Sequence, residues 1–286
     1  MPVLPYMLSE PDQPTTAAVF ASPHSGRHYP WSFIRDSQLD EVTIRSSEDA
    51  FVDRLFESVP RQGATLLAAE VPRAFVDLNR APDELDPALI AGVRQKGHNA
   101  RISSGLGVIP RVVAGAREIR QGKISLTEAR SRLERYYHPY HAKLADLMER
   151  NHRLFGRAIL FDCHSMPHEA ITSTAYAYGR PPDIVLGDRF GATASPDLTE
   201  AVETVFRDAG LTVSRNLPFA GAHVVQTYGK PALERHAIQI EIDRALYLDE
   251  ANIRPNDNFD ALQATLEKVV ARLVVLGREA LPLAAQ

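Results

Sequence analysis

One cysteine, Cys163, stands in the whole sequence. No internal disulfide can form, so a reducing compartment is the expected setting. No apolar run reaches the length that spans a bilayer. The opening residues MPVLPYMLSEPDQP carry two acids and no Lys or Arg, where a secretory signal needs a basic and then an apolar region. A cytoplasmic protein without membrane contact is therefore expected. Basic surface is scarce as well: 32 Lys and Arg against 36 Asp and Glu leave a formal charge of -4, with no cluster on any one element. That excludes the footprint a nucleic-acid backbone requires. Internal repeats and low-complexity tracts are absent too.

What is present is an ordinary globular composition, 44% hydrophobic and 24% charged over 286 residues. No linker divides the chain, and one domain over residues 1–286 is the simplest organisation. Short, nearly continuous apolar runs at 17–21, 64–71, 158–163, 183–186, 211–214 and 237–242 predict strands covered on both faces. Helical spacing lies between them, at 39–59, from a Ser125–Glu128 capping box to about Arg153, from Ser195–Pro196 to Asp208, and over 256–277 with Gly277 as the C-cap. The alternation predicts a layered α/β fold with a mainly parallel sheet. The irregular stretch 81–122 is either a disordered insertion or a loop that lines a site.

Two predicted strands end in histidine, "VFASPHSG" at His24 and "AILFDCHSMP" at His164. Ligands of open parallel sheets bind beyond the carboxyl ends of the strands, so two imidazoles can meet at one rim. Two histidines and a carboxylate, with one position left for water, are a common catalytic zinc set. The acid can come from "RSSEDAFVD", as Glu48 or Asp49, or that pair can be a solvated helix face. Strand alternation places Asp162 and His164 on one face and Cys163 on the other, which argues against a Cys163–His164 nucleophile.

In "HAIQIEIDRALY" the acid Glu241 shares a face with Gln239 and Asp243, and it is the candidate base for a metal-activated water. The alternative for that strand is a wet edge. "VPRAFVDLNR" gathers Arg73, Asp77, Asn79 and Arg80, a set suited to a substrate carboxylate or to an internal Arg–Asp bridge. The Gly-flanked "GAHVVQTYGKP" begins at Gly221, whose backbone can approach a ligand. The histidines of "YYHPYH" suit packing, with Pro139 kinking or interrupting the helix.

Seven segments, SPHSGRHYP, SEDAFVDRLF, RAFVDLNR, YHPYH, DCHSMP, GAHVVQTYGKP and HAIQIEIDRALY, occur in the order and spacing of N-formylglutamate amidohydrolases, and the chain resembles that family from about Phe20 to Tyr247. The resemblance implies a three-layer α/β/α fold with a mixed, mainly parallel sheet, similar to zinc carboxypeptidases and the phosphorylase/hydrolase-like class. It implies one Zn2+ per chain, held by His24, His164 and an acid, Asp49 in preference to Glu48. It further implies Glu241 as the residue that activates water and Asn79–Arg80 as the pair that holds a substrate carboxylate. The default substrate is N-formyl-L-glutamate, within a wider class of N-acyl amino acids. The chain departs from the histidine-degradation enzymes where SSEDAFVD replaces Asp-Thr-Asp-Trp and where a Gly-Gly pair is missing from GAHVVQTYG. The other functional classes left open are a non-catalytic ligand-binding protein on the same scaffold and a thiol hydrolase using Cys163.

Overall fold

The computed structural model describes residues 4–94, 97, 99–172 and 180–278. Among them, seven strands form one sheet: β1 (Tyr6–Ser9), β2 (Ala18–Ser22), β3 (Thr65–Ala69), β4 (Ala158–Met166), β5 (Ile184–Gly187), β6 (Val213–Arg215) and β7 (Arg235–Asp243). Their order across the sheet is β1-β3-β2-β4-β7-β5-β6. The central run β3, β2, β4 and β7 is parallel. β1 joins β3 antiparallel, β5 joins β7 antiparallel, and β6 then runs parallel to β5. The expected α/β class and mixed, mainly parallel sheet are what the chain adopts.

The continuous apolar strands are explained by cover on both faces. Phe20, Phe161, Cys163, Ile238, Ile240 and Ile242 pack with the helices Pro196–Asp208 and Phe259–Arg278. Val19, Ala21, Leu67, Leu160 and Ala237 face the other way, toward the helix His138–Phe155. Three layers result. Each large apolar side chain taken out of water contributes on the order of 1.5–3 kcal/mol, so burial on both faces holds the sheet between the helices. β7, read from sequence as a possible wet edge, is a buried inner strand between β4 and β5. No helix among the described residues is long and apolar enough to cross a membrane.

Three helices differ from their expected form. The segment 39–59 breaks into Glu41–Arg45, Val52–Leu55 and a 3-10 turn Val59–Gln62, with Phe51 in the left-handed region at φ 64°. The break lets the Asp49 backbone N–H donate to the His24 carbonyl at 3.0 Å, so two motifs distant in sequence share one turn. The helix that Ser125 caps widens into a π turn at Leu133–Tyr137 just before Pro139, which has no N–H to continue the ladder. Glu128 does not close the capping box; its carboxylate bonds Arg132 instead. Gly277 is not a C-cap, because the helix continues through Arg278. Its value is close approach: a Cβ there would stand 2.0 Å from Thr16 Oγ1.

Gly26, in the His24 loop, is required for the same reason, and not for a left-handed turn. A Cβ on Gly26 would lie 2.0 Å from the Val71 carbonyl oxygen, a backbone atom that cannot swing aside. Gly26→Ala is therefore expected to destabilise the protein by about 1–3 kcal/mol, as overpacking does. A thermal melt checks this, and an unchanged Tm would show that the loop and the 70–71 segment can separate freely.

Candidate active site

The carboxyl ends of β2, β4 and β7 meet along one edge of the sheet. The loop after β2 carries His24, the end of β4 carries His164, and Glu241 lies directly beside His164 in the parallel register of β7. Two residue pairs earlier, Asp162 faces Gln239. The period of two along a strand puts all four on the face away from Cys163. Asp49 arrives from the broken helical segment, and Arg73, Asp77, Asn79 and Arg80 from the loop that follows β3. All line one cavity of about 680 Å³, except the fully buried Asp162 behind it.

His24, Asp49 and His164 offer ligand atoms that lie within 4.8 Å of one another, and all three side chains are buried. Asp49 Oδ2 is 3.3 Å from His24 Nδ1 and 2.8 Å from His164 Nδ1. On its far side, His24 donates from Nε2 to Asp77 Oδ1 at 2.7 Å. His24 Nδ1 then faces a carboxylate oxygen, and among the described residues that nitrogen has no hydrogen-bond partner. His164 Nε2 has the Asn79 amide at 3.2 Å and Asp162 Oδ2 at 3.0 Å. The Asp162 contact is off the hydrogen-bond direction, and both its oxygens are buried without an aligned donor.

Such a cluster of electron-rich atoms is repulsive until positive charge sits within it. Burial works against ionised groups here, yet the hydrogen bonds and charges of His164 and His24 hold Asp49 well below the usual carboxylate range. Burial also opposes a charged His164, and Asp162 and Asp49 still hold it well above an ordinary histidine. A metal ion supplies that charge without a proton, and the donor set suits one. Carboxylates behind ligating imidazoles fix the ring tautomer and raise ligand basicity, which is the part Asp77 plays toward His24. Arg244 donates to the other oxygen of Asp49 at 3.0 Å and keeps Oδ2 turned to the histidines.

The two acids left open by sequence separate in space. Asp49 meets the histidines, whereas the Glu48 carboxylate accepts from the Tyr29 hydroxyl and from Arg45 Nε at 3.1 Å. Glu241 lies in the same cavity, its Oε1 held by Gln239 Nε2 at 2.8 Å, and among the described residues no donor meets Oε2. Burial, with the neighbouring Asp49 charge, raises its pKa to about 7 against the pull of His164, Arg73 and Arg244. Cys163 is buried in the opposite core, and burial pushes its thiol well up, so it is inert packing.

The expected substrate residues are brought to the cavity with different commitments. Arg73 donates to Asp77 Oδ2 at 3.0 Å, the internal bridge that sequence allowed. Arg80 donates to the carbonyls of Leu106 and Asn79. Asn79 is tied on both sides, to His164 and, through Oδ1, to the Val224 N–H at 2.8 Å. Gly221 lines the cavity at φ 101°, where a Cβ would strike Val225 Cγ2 at 2.6 Å. Part of 81–122 lines it too, through Arg101, Leu106 and the 112–116 turn. Arg244 and Arg189 also line it. Sequence reading missed both, and only "IDR" beside Glu241 held a hint of the first.

A family model described as N-formylglutamate amidohydrolase matches residues 16–248, a span that contains every residue of this site. The chain belongs to the N-formylglutamate amidohydrolase family. Two curated relatives from Pseudomonas, each named N-formylglutamate deformylase, are similar to most of this chain. The one from P. putida is 29% identical over 91% of this chain and 93% of its own, and the one from P. aeruginosa is 30% identical over 84% and 86%. The crystal structure of N-formylglutamate amidohydrolase from Ralstonia eutropha JMP134 has a TM-score of 0.89 and 37% identity, covering 96% of this chain and 99% of that one. A gene product of Agrobacterium tumefaciens, 15% identical with a TM-score of 0.65, shares the fold.

If Asp77 sets the His24 tautomer, Asp77→Asn should weaken divalent-metal binding by about 10–100-fold, the usual effect of losing such a partner. Competition against a chromophoric chelator measures it. Glu48→Gln should leave the affinity unchanged, and a comparable loss there would transfer the ligand role to Glu48.

Proposed function

We propose that the protein is a zinc-dependent amidohydrolase that cleaves the amide bond of an N-acyl amino acid, with N-formyl-L-glutamate as the default substrate and formate and L-glutamate as products. The observation that carries this reading is the shared cavity: a buried carboxylate near neutral pKa stands beside a His-Asp-His cluster in need of a cation. The family and the names of its Pseudomonas members support the amide bond and the substrate. His24, Asp49 and His164 are the residues that would hold the zinc, in agreement with the two-histidine, one-carboxylate set of catalytic sites. When bound, zinc supplies Lewis-acid polarisation of the scissile carbonyl and makes water a stronger acid.

The chain's own residues supply the proton transfers and the alignment. Gln239 pins Glu241 Oε1, so Oε2 is the atom that takes the proton from the attacking water as its oxygen bonds to the acyl carbon. The same carboxyl then gives that proton to the amide nitrogen as the C–N bond breaks, and the amino acid leaves as a neutral amine. Arg73, Asn79 and Arg80 form the wall that orients the substrate carboxylate and sets the carbonyl over the cluster, and the Gly221 backbone lines the same cavity. Arg80 favours an anion there, because burial makes its charge costly.

Glu241 must be ionised to act, so kcat/KM rises as pH increases through its pKa. The acid limb is expected at or below about 7, since a divalent cation beside the carboxylate lowers a pKa that burial has raised. Glu241→Gln should reduce kcat by about 10²–10⁴-fold, the range of a lost general base, while zinc content measured by atomic emission stays near one per chain. Full activity in that variant, or a pH profile that keeps its acid limb, would assign the proton transfer elsewhere.

A further inference from the structure

We infer that Arg189 is the specificity-determining residue that binds the side-chain carboxylate of the substrate, which makes the site selective for N-acyl derivatives of acidic amino acids. The inference rests on the amide-hydrolase reading above and adds a residue and a selectivity to it.

Five arginines line the cavity: Arg73, Arg80, Arg101, Arg189 and Arg244. Of the arginines that line it, Arg244 is engaged by Asp49 and Arg73 by Asp77. Arg80 is held by two backbone carbonyls and lies 3.9 Å from Asp77. Among the described residues Arg189 meets no acid and makes one side-chain hydrogen bond, from Nη1 to the Gly221 carbonyl at 3.2 Å; it is half-buried, so its other donors are open to solvent or to a ligand. A planar guanidinium with unused donors is suited to a carboxylate, which it can bind in a bidentate manner. Arg101 also lacks an acid, but it projects from an exposed four-residue helix.

The backbone that carries Arg189 is by contrast fixed. The Arg189 N–H donates to the Ala220 carbonyl at 2.8 Å. Arg189 and Phe190 both stand in the left-handed region, at φ 51° and 57°, followed by Gly191 at 84°. Two non-glycine residues persist there only where the surroundings over-determine them. A buried Asp188–Asn216 knot does so: Asn216 Oδ1 accepts from the backbone of Asp188 and Phe190, and Asp188 Oδ1 accepts from Asn216 Nδ2 and Gly191 N. Gly187 brings the strand end against the 220–221 backbone, since a Cβ there would lie 2.7 Å from Gly221 N. A donor held before binding loses less freedom when the ligand arrives.

The topology separates this arginine from the others. Arg73 and Arg80 follow β3, on one flank of the strands that carry the cluster, and Arg189 follows β5, on the other flank beside β7. An acidic amino acid has two carboxylates separated by a short carbon chain. One meets the Arg73–Arg80 wall, and the other is left to Arg189.

The test compares N-formyl-L-glutamate with its neutral isostere N-formyl-L-glutamine. The wild-type enzyme is expected to favour the glutamate by about 10²-fold or more in kcat/KM, as polar recognition of one group permits. Arg189→Gln should collapse that preference to within about tenfold, the loss of one charge-assisted contact, while activity on N-formyl-L-glutamine is retained. Arg189→Lys should restore part of the preference. Equal losses on both substrates in Arg189→Gln, or an unchanged ratio, would overturn the assignment. Wild-type enzyme that cleaves both substrates equally would overturn it and leave amide hydrolysis intact, whereas no turnover of any N-formyl amino acid would overturn the underlying reading as well. Should Arg189→Gln not fold, inhibition of the wild-type enzyme decides: glutarate is expected to inhibit more strongly than butyrate, and equal inhibition would remove the second carboxylate site.

Discussion

Asp49 Oδ2 lies between the Nδ1 atoms of two buried histidines, and much of the surrounding structure is organised by that contact. His164 Nδ1 hydrogen-bonds that oxygen, whereas His24 Nδ1 faces it with no hydrogen-bond partner among the described residues; in a medium of low polarity an acceptor turned toward a carboxylate repels it unless a cation lies between, so the cluster favours positive charge. Each member is also fixed from behind. Asp77 holds His24, Asn79 approaches His164 Nε2, and Arg244 holds the outer oxygen of Asp49. Such backing keeps three donors converging at a cost that no isolated residue could sustain.

The backing extends one layer further, into motifs that have no direct chemistry. The loop from Asp77 to Arg80 has its carbonyls bound by the helix behind it: His141 Nε2 donates to the Leu78 carbonyl at 2.9 Å, and the Tyr137 hydroxyl donates to the Arg80 carbonyl at 2.8 Å. Burial lowers the His141 pKa to about 4, so it remains a neutral donor through the physiological range. The helix after Gly221 contributes the Val224 N–H to Asn79. YHPYH and GAHVV thus support the RAFVDLNR loop, and the family's motifs are parts of one support network rather than separate sites.

Much of the fold and part of the site were legible because the relevant signal is local. Alternation along β4 puts Asp162 and His164 together and Cys163 opposite, whatever the partner strands are. Continuous apolar runs indicate cover on both faces, and two strands ending in histidine indicate a shared rim. Other features were not legible, since they depend on what another segment brings. Glu48 and Asp49 are adjacent in sequence, and the left-handed Phe51 breaks the helix that would have fixed their facing. Gly277 has the form of a cap in sequence and serves as a contact surface for Thr16 in space.

The linear order of residues by itself determined every strand of the sheet but β1, the two histidine-bearing ends and the position of Glu241 on one face with Gln239, because backbone periodicity carries that information without tertiary contacts. The tertiary structure alone decided that Asp49 meets both histidines, that Asn79 is tied to His164 and Val224, and that Arg189 reaches the cavity without an acidic partner. Those outcomes depend on contacts between residues 25 to 145 positions apart, as with Asp49 at His24 or Val224 at Asn79. No local pattern encodes such distances, which are set only when the two cores close around the sheet.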